Sequence, residues 1–113
     1  MTDRSGLLHQ LLRLNRPVRE VVGELRPFGW DSAQTLAELR REDIVQILER
    51  YLRGELTAAV VEEWANAVEG REDVAYERPH DDAIRAAIHE LANPYLARSL
   101  SPQTAREWIQ CLR

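Results

Sequence analysis

Apolar residues recur at helical spacing along most of this chain, and the clearest case lies between Asp81 and Ala92. They occupy positions i, i+3, i+4, i+7 and i+8, which places them on one face of an α-helix. Asp81 and Asp82 open the segment, where carboxylates cap free backbone N–H groups and meet the positive end of the helix dipole. Asn93-Pro94 ends it, because the residue before a proline avoids the α region. The apolar face consists of Ile84, Ala87, Ile88, Leu91 and Ala92.

Three further segments combine this spacing with local start and stop signals. Residues 43–53 carry an apolar face before Gly54, a typical C-terminal stop. Thr57 is a suitable N-cap for a helix that Gly70 ends, and Ser101 with Pro102 begins the last helix. The apolar faces are Ile44, Ile47, Leu48, Tyr51 and Leu52; Val60, Val61, Trp64, Ala65 and Val68; and Ala105, Trp108, Ile109 and Leu112.

The N-terminal third allows more than one interpretation. Leucines at positions 7, 8, 11 and 12 indicate a first helix. Pro17 either kinks this helix or opens a second one that ends at Pro27. That second helix would carry Val18, Val21, Val22 and Leu25. Residues 28–32 are typical of a turn, whereas Leu36 and Leu39 fit either a continued helix or a short extended segment.

The fold class predicted from these patterns is all-α, because no segment shows sustained strand alternation of β-branched residues. Short connections favour antiparallel neighbours, so we expect a compact antiparallel bundle of five or six helices. The 113 residues fit one domain, 1–113. Within it we expect an N-terminal helical segment over 1–42 and a four-helix core over 43–113. The residues expected at the centre of the packing are Trp64, Trp108, Tyr51 and Leu91.

The sequence favours a cytoplasmic location. No apolar run approaches the roughly 20 residues that a membrane helix needs, and the first residues lack the basic-then-apolar pattern of a signal peptide. The single cysteine, Cys111, excludes an internal disulfide and fits a reducing compartment.

Negative charge is concentrated in the second half of the chain. The net charge is -4, and residues 62–82 alone hold eight acidic residues against two arginines, which gives -6. Such a segment repels nucleic acids and anionic membranes, whereas it attracts a basic protein.

The segment after Gly70 is the leading candidate for a binding site. About nine residues, 71–79, join two helices, and longer loops often carry binding residues. Val74 and Tyr76 alternate with two carboxylates, so we expect the apolar pair to anchor the loop while the carboxylates face outward. Tyrosine would supply contact area and the acids would pair with arginine or lysine of the partner. The expected partner-binding residues are Glu69, Glu72, Asp73, Tyr76, Glu77, Asp81 and Asp82. An ordinary solvated acidic surface would explain the same residues.

Patterns for catalysis, cofactor binding and DNA binding are weak, so we expect neither catalytic residues nor a cofactor. Isolated glycines form no phosphate-binding loop, and Cys111 has no histidine near it in sequence. Residues 43–69 resemble a helix-turn-helix, but carboxylates on its second helix would repel phosphate. One candidate metal-binding set exists, His80, Asp81, Asp82, His89 and Glu90, although an acidic helix start with two exposed histidines explains it more simply.

The runs from Ile47 to Glu77 and from Ile88 to Leu112 resemble a family of small, uncharacterised bacterial all-helical proteins. The shared pattern is Tyr-Leu-x-Gly-Glu-Leu, then Trp-Ala, an acidic Arg-x-Asp loop, Leu-Ala-Asn-Pro and a final tryptophan helix. No activity accompanies that family. The corner at residues 51–56 is also similar to one in small helical bacterial immunity proteins. Those are compact acidic bundles that bind a basic toxin domain and block its active site.

The leading hypothesis is therefore a non-enzymatic acidic module that binds a basic protein, as an immunity or antitoxin-type inhibitor does. One alternative is a structural or assembly subunit that self-associates through an apolar patch near Phe28 and Trp30. Another is a small metal-dependent enzyme that uses His80, Asp82 and His89. Partner binding that weakens as salt rises would favour the binding module. Self-association that does not depend on salt would favour the assembly subunit, and metal bound to the purified protein would favour the enzyme.

Overall fold

The computed structural model describes residues 3–28 and 34–113, and most of this part of the chain is helical. A single turn of 3-10 helix, Arg26–Phe28, follows the second α-helix. Two short strands, β1 (Ala37–Leu39) and β2 (Val74–Tyr76), pair in parallel. The α-helices are α1 (Arg4–Arg13), α2 (Val18–Leu25), α3 (Arg41–Leu52), α4 (Ala58–Val68), α5 (Asp81–Ala92) and α6 (Pro102–Leu112).

The last four helices begin and end close to their predicted bounds. Thr57 and Ser101 each accept a backbone N–H from the first turn of their helix, so both act as N-caps. Gly54 and Gly70 follow α3 and α4 with φ angles of +81° and +83°. Glycine adopts this left-handed conformation without the steric cost that a side chain adds, which explains both stops.

The structure decides between the alternatives at the N-terminal third. Leu14 ends α1, and Pro17 immediately precedes α2. Pro17 therefore opens a second helix rather than kinking the first. Leu39 lies in β1 and Leu36 directly precedes it, so this segment is extended. Most of the predicted turn at 28–32 lies outside the described residues.

The small parallel sheet is the main feature that the sequence did not predict. It aligns Ala37 with Val74 and Leu39 with Tyr76. Each strand has only three residues, which is too short for the alternation by which strands are recognised. Because β2 lies inside the predicted loop 71–79, the centre of that segment is a strand paired with β1 rather than a free loop.

One hydrophobic core receives side chains from all six described helices and both strands. Trp64 is 0% exposed, and its indole N–H donates to the backbone C=O of Leu11 at 2.8 Å, which joins α4 to α1. Leu91 is buried, as expected, whereas Trp108 and Tyr51 lie half-buried at the edge of the core. The N-terminal helices thus supply part of the same core as residues 43–113.

The most extensive helix contacts join α4 with α5, α3 with α6 and α1 with α2. The antiparallel arrangement of neighbouring helices stays a prediction. Within the described residues, every helix is too short or too polar to cross a membrane.

Candidate functional site

Asp73, the centre of the predicted docking loop, is buried inside the protein. Its side chain is 0% exposed and lies between the guanidinium groups of Arg71 and Arg4. Arg71 donates to both carboxylate oxygens at 2.9 Å, and Nε of Arg4 donates to Oδ2 at 3.0 Å. The prediction that this carboxylate faces outward is therefore wrong, because the chain's own arginines neutralise it.

This buried ion pair connects distant parts of the sequence. Arg4 begins α1, and Asp73 directly precedes β2 and accepts the backbone N–H of Leu36 through its own C=O. Burial alone would raise the pKa of Asp73, but the hydrogen bonds and charges of Arg71 and Arg4 outweigh it and lower the pKa. The folded state thus stabilises the ionised form of Asp73.

Glu77 stabilises the start of α3. Its Oε1 accepts the backbone N–H of Arg41 at 3.1 Å and the side-chain Nε–H at 3.2 Å. Arg41 is the first residue of α3, where backbone N–H groups lack partners within the helix. The backbone hydrogen bond from Arg41 is the main reason that the pKa of Glu77 is lowered. Burial alone would raise this pKa, but the side-chain hydrogen bond and the charge of Arg41 lower it further. Glu77 is 26% exposed, and the expectation that it faces outward to pair with a partner is wrong because Arg41 of the same chain already pairs with it.

Glu69 and Tyr76 are engaged by α5. The Glu69 carboxylate lies 2.8 Å from Nδ1 of His89 and accepts a hydrogen bond from Asn93 at 3.2 Å. The half-buried ring of Tyr76 faces the guanidinium of Arg85, 5.1 Å from the ring centroid, which is a cation–π geometry. Burial raises the pKa of the Tyr76 hydroxyl. The predicted apolar anchor is therefore already packed within the fold.

Three of the expected binding residues stay accessible, namely Glu72, Asp81 and Asp82, and we refer to them as the acidic triad. Glu72 and Asp82 are exposed and Asp81 is half-buried. No side chain in residues 3–28 or 34–113 forms an ion pair or hydrogen bond with these carboxylates. Asp81 also borders a depression of about 370 Å³ that Arg78 and Arg85 line. The surface around Asp81 thus carries both signs of charge.

The candidate metal set is not assembled. Among the described residues, no three His, Cys, Asp or Glu side chains are grouped so that they could hold a metal ion. His80 precedes α5 and Asp82 lies in its first turn, whereas His89 lies in its last turn beside Glu69. The three ligands proposed for a metal-dependent enzyme, His80, Asp82 and His89, therefore do not converge on one point. Cys111 is exposed near the end of α6.

Large hydrophobic side chains are exposed at two places in the described part of the chain. Phe28 is 42% exposed, and Trp30, the other residue of the predicted apolar patch, lies outside the described residues. Tyr95 and Leu96, in the connection between α5 and α6, are 95% and 76% exposed. Sequence reasoning missed this pair, since nothing in the local pattern distinguishes an exposed from a buried tyrosine.

The buried ion pair predicts a pH dependence of stability. Because the pKa of Asp73 is lower in the folded than in the unfolded chain, its contribution is fully present above the unfolded pKa of about 3.9. It is lost as the pH falls through the folded pKa. We expect the unfolding free energy to decline between about pH 5 and pH 2.

The Asp73→Asn variant is the control for this pH dependence, measured by denaturant unfolding at each pH, and it should show a shallower decline. Burial raises the pKa of Asp43, so protonation of Asp43 at low pH stabilises the folded state. This effect is the same in the wild type and in Asp73→Asn, and it cancels when their two pH profiles are compared. Parallel pH profiles of the two proteins would contradict the assignment.

Comparison of the chain with protein-family models, curated proteins and solved structures finds no match. The resemblance to small bacterial helical proteins and to immunity proteins accordingly stays a prediction.

Proposed function

We propose that this chain is a non-enzymatic protein-binding module of the bacterial cytoplasm that holds a basic partner, as an immunity or antitoxin-type inhibitor does. The observation that carries the proposal is the acidic triad, three accessible carboxylates without an ionic partner in the described part of the fold. Such groups can meet a partner's arginine or lysine without first breaking an internal ion pair. They also steer a cationic surface toward the site.

The proposed docking surface is smaller than the one expected from sequence. Asp73 and Glu77 hold the N-terminal segment and α3 in place, while Glu69 and Tyr76 contact α5. These residues shape and fix the segment that carries Glu72, which lowers the ordering cost when a partner binds. The similarity of the 51–56 corner to immunity proteins agrees with this role.

Reversal of one triad charge should weaken binding. We expect Asp82→Arg to lower the affinity for the partner about tenfold, which corresponds to about 1.4 kcal/mol, because a steering carboxylate becomes repulsive. The partner is first captured on the immobilised chain from an extract of the cells that produce it, identified, and purified. Calorimetric titration at low and high salt then measures affinity, and wild-type binding should weaken as salt rises.

Glu42→Arg is the matched control, because Glu42 is also an exposed acid in the first turn of a helix, α3. Both substitutions carry the same unfavourable interaction with a helix dipole. Glu42→Arg should leave binding intact, and both variants should unfold at similar temperatures. Equal affinity of the wild type, Asp82→Arg and a Glu72→Arg variant would remove the proposal.

A further inference from the structure

A polar depression of about 370 Å³ lies between β2 and the first turns of α5. Residues of β2 line it together with charged groups from the connection that leads into α5 and from α5 itself. The charged residues of the lining are Arg71, Arg78, Asp81 and Arg85. Pockets that hold small molecules have volumes of roughly 300–1,000 Å³, so the depression is large enough for one, and its charged lining suits an ionic ligand.

Two guanidinium groups of this lining have no carboxylate partner among residues 3–28 and 34–113. Arg78 and Arg85 are both exposed, and neither forms an ion pair with a described residue. Most arginines of the chain do pair with carboxylates of described residues. Arg71, for example, is engaged with Asp73. The depression therefore brings together two cations that a ligand can reach without breaking an internal ion pair.

Asp81 and Arg85 do not neutralise each other, although their spacing would allow it. They lie four residues apart in α5, the separation at which an acid and an arginine can pair on the surface of a helix. No ion pair joins them, and both line the depression. Groups of both signs are thus left for a ligand, with two guanidinium groups against one carboxylate.

An aromatic ring holds Arg85 in place. Its guanidinium carbon lies 5.1 Å from the centroid of the Tyr76 ring, a contact that positions the group without a counter-charge. A guanidinium that is positioned in advance loses less conformational entropy when it bonds an oxyanion. The Tyr76 hydroxyl is a further donor, because burial raises its pKa and keeps it protonated at neutral pH.

We propose that this depression binds a small phosphate monoester that also carries a hydroxyl group. The phosphate lies against Arg78 and Arg85, since arginine bonds phosphate oxygens bidentately. A carboxylate has only two oxygens, whereas the three terminal oxygens of a phosphate monoester can accept from two guanidinium groups and from Tyr76 together. Asp81 accepts a hydrogen bond from the hydroxyl group of the ligand. Such a ligand is small and anionic, so the site goes beyond the proposed binding of a basic protein.

Titration of the full chain with glycerol 3-phosphate at low salt, followed by amide NMR shifts, tests the site. We expect saturable binding with shift changes over residues 70–85. Arg78→Gln and Arg85→Gln should each weaken it about tenfold, the usual effect of losing one hydrogen bond to a charged group. Arg106→Gln is the matched control, because Arg106 is also exposed, has no ion pair with a described residue and lines a different depression.

The control variant should keep the wild-type affinity, because it removes the same charge at a distant place. Absence of saturation at millimolar glycerol 3-phosphate would overturn the proposal. Equal losses of affinity at positions 78, 85 and 106 would overturn it as well, since they would show attraction to net charge rather than a site.

Asp81→Asn tests the part of the ligand that carries the hydroxyl group. The wild type should bind glycerol 3-phosphate more tightly than inorganic phosphate, which lacks that part. The variant loses a carboxylate that repels anions, so it should bind inorganic phosphate more tightly than the wild type does and show less preference for the ester. An unchanged preference would refute the proposed ligand class. These titrations do not involve the basic partner, so their outcome is separate from that of the proposed function.

Discussion

Asp73→Asn should lower the free energy of unfolding by about 3–5 kcal/mol, the usual cost of removing one partner from a buried ion pair. Asparagine has nearly the same size as aspartate, so the loss arises from charge rather than from a cavity. The Arg71 side chain is 2% exposed, and the substitution removes the charged group to which its Nε and one terminal nitrogen both donate. Arg4 would lose the same partner.

Chemical denaturation of Asp73→Asn measures this loss, and Glu72→Gln provides the control. Glu72 is the adjacent residue, is exposed and has no ion pair with the described residues, so its neutralisation should change stability by no more than about 0.5 kcal/mol. If the two variants lost similar amounts, with Asp73→Asn below about 1 kcal/mol, the structural role of Asp73 would be refuted.

Trp64→Ala should cost about 3–5 kcal/mol, as truncation of a large buried aromatic side chain does. The substitution leaves a cavity between α4 and α1 and removes the hydrogen bond to the C=O of Leu11, which keeps the backbone N–H of Leu14 as a donor. Domains of this size are stable by only about 5–15 kcal/mol, so the variant approaches the limit of folding.

Trp108→Ala is the comparison for the core prediction, because Trp108 also donates its indole N–H, to Glu90, but is only half-buried. It should lose clearly less stability than Trp64→Ala in denaturant unfolding. Trp64→Phe, which keeps an aromatic ring, serves as the folded substitute if the alanine variant does not fold. Equal losses at positions 64 and 108 would contradict the arrangement of the core.

The helices could be predicted because their signals are local. Thr57 and Ser101 cap their helices within one turn, and Gly54 and Gly70 stop theirs by backbone conformation. The sheet could not be predicted in this way, since β1 and β2 pair across more than thirty residues and each is three residues long. Apolar and acidic residues do alternate over 73–77, but this pattern was interpreted as two apolar side chains anchoring a loop rather than as a strand.

The binding surface was harder to predict because a count of charges along the sequence does not show which are paired. Arg71 lies two residues from Asp73, where a contact is conceivable from sequence, but Arg4 lies 69 residues away. Arg41 and Glu77 are likewise 36 residues apart. A segment that carries a formal charge of -6 over 62–82 thus keeps a smaller accessible acidic edge once the chain folds.

The central claim is that the predicted acidic segment, residues 62–82, divides into carboxylates that hold the fold together and carboxylates that are free to bind. Carbon-13 NMR titration of the side-chain carboxyl groups tests it most directly, residue by residue. The account predicts that Asp73 and Glu77 titrate below the ordinary pKa values of about 3.9 and 4.3. A carboxyl group of Asp73 that titrates at or above its ordinary value would contradict the buried ion pair, and with it the division of this segment into structural and binding carboxylates.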